Sequence, residues 1–183
     1  MTPFVVLILT FILIVIIVGF WYVITMNDLR RAQVKIAEAL SDIDVALTKR
    51  HDVLIKMLDL CKSYAKYEKE TLLETIRLRS GMNMTDRNHA VNEMDQANKF
   101  ISAVAENYPT LRSSDNFKQL QISVMDVEEH LQAARRLYNS NISYLNQKIV
   151  SFPSSIVAGN LNITQAEFWE TEEDKKQDVS MVI

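Results

Sequence analysis

The run FVVLILTFILIVIIVGFWYVITM, from Phe4 to Met26, constrains this chain more than any other feature. It holds 23 consecutive residues without a charge, 20 of them apolar or aromatic. About 20 such residues cover the ~30 Å hydrocarbon core of a bilayer, so the run is long enough to span one with some tilt. In lipid it has to be helical, because nothing there accepts a free backbone N–H. The competing reading is a cleaved secretory signal, with a basic start, a shorter apolar stretch and small residues at the cleavage point. Met1-Thr2-Pro3 carries no basic side chain, and Phe20-Trp21-Tyr22 is a poor cleavage context. An uncleaved transmembrane helix over 4–26 is therefore expected, in contact with the lipid bilayer.

Direction follows from the flanking charges. No Lys or Arg precedes the run, whereas Arg30, Arg31 and Lys35 follow it. The positive-inside bias then places a short amino-terminal segment, 1–3, outside and the bulk of the chain in the cytoplasm. Trp21 and Tyr22 stand where an aromatic belt meets the inner interface, with Arg30 and Arg31 just beyond it. The run has no GxxxG pattern, so it carries no signal for helix pairing inside the membrane.

The remainder reads as long helices. Only three glycines and three prolines occur in 183 residues, too few for the turns of an all-β fold. Neither type occurs between Gly19 and Gly81, and over that stretch Ile36, Leu40, Ile43, Leu47, Arg50, Leu54, Met57, Cys61 and Tyr64 recur in steps of four and three. That is the seam of a coiled-coil-like helix, broken once by a charge. The helix is expected to leave the membrane without a break, run to about Arg79 and stop at Ser80-Gly81. A short turn, with Thr85 or Asp86 as N-cap, opens a second helix with Val91, Met94, Ala97, Ile101, Val104, Ala105 and Tyr108 on one face, and Pro109 ends it. Ser113, Ser114 or Asp115 caps a third, whose stripe runs Phe117, Leu120, Val124, Val127, Leu131, Ala134, Tyr138, Leu145, Ile149, Phe152.

Pro153-Ser154-Ser155 ends that helix. A loop through Gly159 is expected next, and Thr164-Gln165-Ala166-Glu167 then reads as a capping box for a short helix around Phe168 and Trp169. Residues 1–166 hold 18 Lys+Arg against 17 Asp+Glu, so the formal charge of −3 resides in the acidic tail, 170–183. The fold class is all-α: an N-terminal transmembrane helix, then an antiparallel bundle of long amphipathic helices over 27–169. The reversals at Gly81-to-Thr85 and Pro109-to-Ser114 are short enough to join antiparallel neighbours. The first helix outruns the second, so its stretch near the membrane is expected to lack an intrachain partner and to pack on another copy.

Three collinear blocks carry a family resemblance. The first is Ser41-Asp42-Ile43-Asp44-Val45-Ala46-Leu47-Thr48-Lys49-Arg50-His51-Asp52, extended by Tyr64-Ala65, Glu68 and Arg79. The second is Ala105-Glu106-Asn107-Tyr108-Pro109 with Leu111, Asn116-Phe117, Leu120-Gln121 and Glu128. The third is Ala134-Arg135-Arg136-Leu137-Tyr138-Asn139 with Asn146, Phe152-Pro153-Ser154 and Ala158-Gly159, before a terminal Phe168-Trp169-Glu170. Together they resemble the LemA family of bacterial membrane proteins over nearly all of 25–173. The chain departs from the family pattern at Leu40, Ala46, Ile55, Tyr67 and Leu145. The resemblance implies a single-pass protein of the bacterial inner membrane, N-terminus outside, with a cytoplasmic helical bundle and no established catalytic activity. It also implies association with membrane proteases of the HtpX type, and in one branch with magnetosome membrane formation.

Little in the sequence points to catalysis. His51, His89 and His130 are far apart, and HExxH, CxxC, nucleophile-elbow and Gly-rich phosphate motifs are all missing from the sequence, so no metal, cofactor or enzyme activity is expected. A net charge of −3 with no basic stripe gives no reason to expect nucleic acid binding. The lone Cys61 sits on the seam as a small core residue. The candidates for structure or interaction are Asp44, Lys49, Arg50 and Asp52 on the first helix and Arg135, Tyr138 and Asn139 on the third. Arg50 lies on the apolar seam, where an unpaired charge is costly, so an acid on the third helix, Glu128, should meet it and set register. Tyr138 and Asn139 should pack at the core with polar tips bonded. The expected function is a non-enzymatic, membrane-anchored helical scaffold that self-assembles as a homo-oligomer through protein–protein contacts. The alternative is an adaptor or regulator of a membrane protease or envelope-stress system.

Overall fold

A computed structural model describes residues 3–65 and 82–169. Every regular element among them is a helix: α1 Pro3–Ala65, α2 Met84–Asn107, α3 Pro109–Ser113, α4 Asp115–Val150 and α5 Ser154–Asn160. Helix α1 is continuous over 63 residues. Proline at its first position loses no hydrogen bond, and no later residue breaks the ladder. Its first part is long and apolar enough to cross a membrane, with every large side chain from Phe4 to Val18 exposed. The expected end of this helix at Arg79 to Gly81 and the acidic tail lie outside the described residues.

The described residues fall into two compact units, one of 3–38 with 138–168, the other of 39–65, 82–137 and 169. In the first, the end of α4 runs antiparallel to α1: Lys148 Nζ reaches Asp28 Oδ2 at 3.0 Å, and Asn141 Nδ2 donates to the Lys35 carbonyl at 3.1 Å. The near-membrane stretch of α1 thus has an intrachain partner, contrary to expectation. Leu29, Ala32, Leu145, Val157 and Ala158 form the core, with Trp21, Tyr22, Met26, Ile36, Ile149, Leu161 and Ile163 packed on it.

Two expectations for 154–169 are corrected. The segment through Gly159 is a helix, α5, because Val157 and Ala158 gain burial on one side of it. Asn162 (φ 51°) ends it, with the Ile163 N–H on the Ala158 carbonyl at 3.0 Å, the left-handed stop that Asn tolerates. Residues 163–169 then form no helix. Asn146 of α4 takes both backbone groups of Ala166, N–H to Oδ1 and Nδ2 to C=O, each at 2.9 Å. A helix opening at Thr164 would have used that Ala166 carbonyl in its own ladder.

In the second unit α1, α2 and α4 surround a core that includes Leu54, Met57, Cys61, Met94, Ala97, Ile101, Leu111 and Phe117. The predicted seams of α1 and α2 are the buried faces, apart from Tyr64 and Tyr108 at their ends, 40% and 38% exposed. Burial pushes the Cys61 thiol up from its ordinary pKa. Helix α2 is capped by Asn83, two or three residues before the expected Thr85 or Asp86, its Oδ1 accepting the Asp86 N–H at 2.8 Å. Ser114 caps α4, its Oγ accepting the Phe117 N–H at 3.3 Å. The pairs between helices set direction. Asp44 meets Arg87 and Arg50 meets Asp95, so α1 and α2 advance together; were they antiparallel, Asp95 would lie about 20 Å from Arg50. Asp95 and Glu128 both reach Arg50 from opposite sides of the α3 turn, so α4 is the antiparallel member. The expected antiparallel pairing of α1 with α2 across Gly81-to-Thr85 is corrected accordingly.

Candidate functional site

Among the described residues of the second unit three arginines are buried: Arg50 at 4% exposure, Arg87 at 3% and Arg135 at 7%. A guanidinium is always charged and carries five donors, so burial at this level needs partners on several sides. Arg50 occupies the α1 seam because the a/d spacing puts it there, between Leu47 and Leu54. Its Nη2 donates to Asp95 Oδ1 of α2 at 2.5 Å, and its Nε lies 3.1 Å from Glu128 Oε2 of α4. The second contact has ion-pair distance without the alignment of a hydrogen bond, and Nη1 is buried without one. The expected Glu128 contact is present, and Asp95 is a further partner.

Arg87 makes the more complete pair. Nε and Nη2 donate to Asp44 Oδ1 and Oδ2 at 2.7 and 2.8 Å, and Nη1 donates to the Met82 carbonyl. This planar fork adds geometric specificity to charge. Arg135 lies with its guanidinium carbon 5.2 Å from the centre of the Trp169 ring, within cation–π range. Trp169 is itself 3% exposed.

The other expected candidates divide. Tyr138 is buried and Asn139 half-buried. Lys49 is exposed, and Asp52 is 64% exposed beside His51, Nδ1 to Oδ1 3.7 Å. Trp21 and Tyr22 are half-buried against the core of the first unit, while Arg30 and Arg31 stand in the open. Lys49 and Asp42 border a shallow groove of about 340 Å³ between α1 and α4, lined by Ala46, Ala133 and Ala134. Val45 and Leu137, also in its lining, remain 52% and 51% exposed.

Sequence reasoning passed over Arg87 and Asp95. Arg87 lies one heptad before Met94 on the α2 stripe, so extending that stripe back one step finds it. It also passed over the cluster of Asp28, Tyr144 and Lys148, in which the Tyr144 hydroxyl donates to Asp28 at 2.8 Å and Lys148 adds its ammonium. Burial alone would push Asp28 up. The hydrogen bonds from Lys148 and Tyr144 and the charges of Lys148 and Arg31 outweigh it and hold the carboxyl below its usual pKa. The hydrogen bond to Asp28 in turn raises Tyr144 and Lys148.

The Arg50, Arg87 and Asp28 clusters tie helices together. Among the described residues no group of three or more His, Cys, Asp or Glu is placed to hold a metal ion. The sequence profile described as the LemA family matches residues 39–182. Protein LemA of Metamycoplasma hominis is 31% identical over 177 residues, 94% of this chain and 81% of that one. Magnetosome protein MamQ 2 of Paramagnetospirillum magneticum is 30% identical over 70 residues, 38% of this chain and 26% of that protein. Magnetosome protein MamQ of Magnetospirillum gryphiswaldense is 26% identical over 69 residues, again about a quarter of its length.

Proposed function

This chain belongs to the LemA family, and from that premise we propose that it is a non-enzymatic scaffold, anchored by residues 4–26 in the bacterial inner membrane, N-terminus outside, that assembles with copies of itself. The observation that carries this reading is the fate of the buried charges. Arg50 and Arg87 are held by Asp95, Glu128 and Asp44 from neighbouring helices, which fixes helix register and direction. A catalytic constellation instead leaves its charged groups facing a space that a substrate fills.

Self-assembly draws on the groove between α1 and α4. Its alanines permit close approach of another helix, Val45 and Leu137 offer apolar contact, and Asp42 with Lys49 gives it both charge signs. A second copy is therefore not repelled by a field of one sign. Confinement to a membrane raises the effective concentration of copies and favours such contacts.

The test is extraction of the full chain in native lipid discs, followed by mass measurement and identification of what co-purifies. Particles holding two or more copies support the scaffold. Single copies carrying a membrane protease in fixed ratio overturn it in favour of the adaptor reading.

A further inference from the structure

Lys148 with Asp28, and Asn141 with Lys35, share one register. In it each residue toward the end of α4 matches one residue back toward the start of α1. Two residues past Lys148, about 3 Å along the axis, the register brings Val150, the last residue of α4, level with Met26 at the end of the uncharged run, and Phe152 follows in the turn. The packing agrees, since Trp21, Tyr22 and Met26 lie against the cluster that holds Val157 and Ala158 of α5. The tip where α4 gives way to α5 is held at the depth of the last turns of the apolar run.

At that tip large apolar side chains face outward. Phe152 is 82% exposed, Val150 63% and Ile156 54%. From Leu137 through Ala166 the sequence contains one charged residue, Lys148. The backbone there is also provided for. Ser154 Oγ donates to the carbonyls of Lys148 and Ser151 at 2.7 and 2.9 Å, and the Ser155 N–H reaches the Ser151 carbonyl at 2.8 Å. The Lys148 and Ser151 carbonyls are thereby bonded within the chain, as a lipid-facing turn favours.

We propose that this tip, led by Phe152 with Val150 and Ile156, inserts into the same lipid leaflet as the end of the 4–26 run, a second contact with the membrane that does not span it. Apolar side chains of interfacial elements seat ~5–10 Å into the headgroup and acyl boundary. The inference rests on residues 4–26 being a membrane anchor, and its test separates the two.

The full chain carrying Cys61→Ser receives one cysteine at a time, as Phe152→Cys, Ile156→Cys, Leu13→Cys or Glu38→Cys. Each is labelled with an environment-sensitive fluorophore and reconstituted into phosphatidylcholine–phosphatidylglycerol vesicles containing lipid quenchers spin-labelled at shallow and at mid-chain positions. Glu38 lies twelve residues past Met26, about 18 Å along α1, and reports on water. Labels at 152, 156 and 13 are expected to shift to the blue and lose most of their emission, and the label at 38 to keep its own. Labels at both 152 and 156 that behave like that at 38, while the label at 13 is quenched, overturn the tip contact and leave the anchor standing. Labels at 13, 152 and 156 all unquenched overturn both.

Discussion

Arg87 grips Asp44 through two parallel hydrogen bonds, 2.7 and 2.8 Å, joining the first turn of α2 to the middle of α1. Six residues on, Arg50 answers from α1 to Asp95 of α2. The two contacts have opposite polarity, each helix supplying one arginine and one acid. A one-turn slip of α2 along α1 would separate both pairs by about 5 Å, leaving Arg87 without a carboxylate and Arg50 with Glu128 alone.

Arg87→Ala should destabilise the chain by about 2–3 kcal/mol. Breaking a buried pair costs roughly 3–5 kcal/mol, and partial hydration of the stranded acid reduces that; Asp44 is 27% exposed. The double variant Arg87→Met, Asp44→Leu should recover most of the loss. Thermal unfolding of the full chain in detergent, followed by far-UV circular dichroism, measures both.

Arg50→Leu should remain folded, with a loss of less than about 2 kcal/mol, because its partners regain water; Asp95 and Glu128 are 47% and 36% exposed. Asp95→Ala with Glu128→Ala strands a guanidinium that is 4% exposed and should cost more than Arg50→Leu. The same unfolding assay orders the two.

Asn146→Ala removes two hydrogen bonds to Ala166 and should cost about 1–3 kcal/mol. Hydrogen exchange locates the effect: the Ala166 amide should lose its protection, while amides in the middle of α2 keep theirs.

The Asp28 cluster gives the chain a pH signature. A lowered Asp28 contributes stability that is complete above the unfolded value, about 3.9, and lost as pH falls through the lower folded value. Raised Tyr144 and Lys148 contribute stability that is complete below about 10 and lost as pH rises through their higher folded values. Melting temperature against pH should show an acid shoulder below about pH 4 and an alkaline one above about pH 10. Asp28→Asn should reduce both. The groups are 34–42% exposed, so the shoulders are shallow and shrink in salt.

The seams of α1 and α2, and that of α4 as far as Ile149, were legible because a stripe repeated over many turns has one low-energy solution, burial; Phe152, expected on the α4 stripe, lies past the helix end and is 82% exposed. Arg50 was legible for the same reason, as a charge standing where Leu47 and Leu54 demand an apolar side chain. The relation of α1 to α2 was not, since periodicity fixes which face is buried and says nothing of direction. The segment 154–169 misled in both halves. Gly159 looked like a loop although Val157 and Ala158 on the same turns are buried, and Thr164-to-Glu167 carried a local helix signal overridden by Asn146 from 20 residues away. Local propensity loses there to a long-range pair that captures both backbone groups of Ala166.

Assembly through the α1–α4 groove is tested most directly by disulfide crosslinking in native membranes. The full chain with Cys61→Ser carries Val45→Cys or Leu137→Cys, at two exposed positions. The account predicts that mild oxidation gives a species of twice the chain mass at both positions, and that a control cysteine at exposed Met125, outside the groove, gives none. Cysteines at 45 and 137 that react fully with a maleimide yet yield only monomer would contradict it.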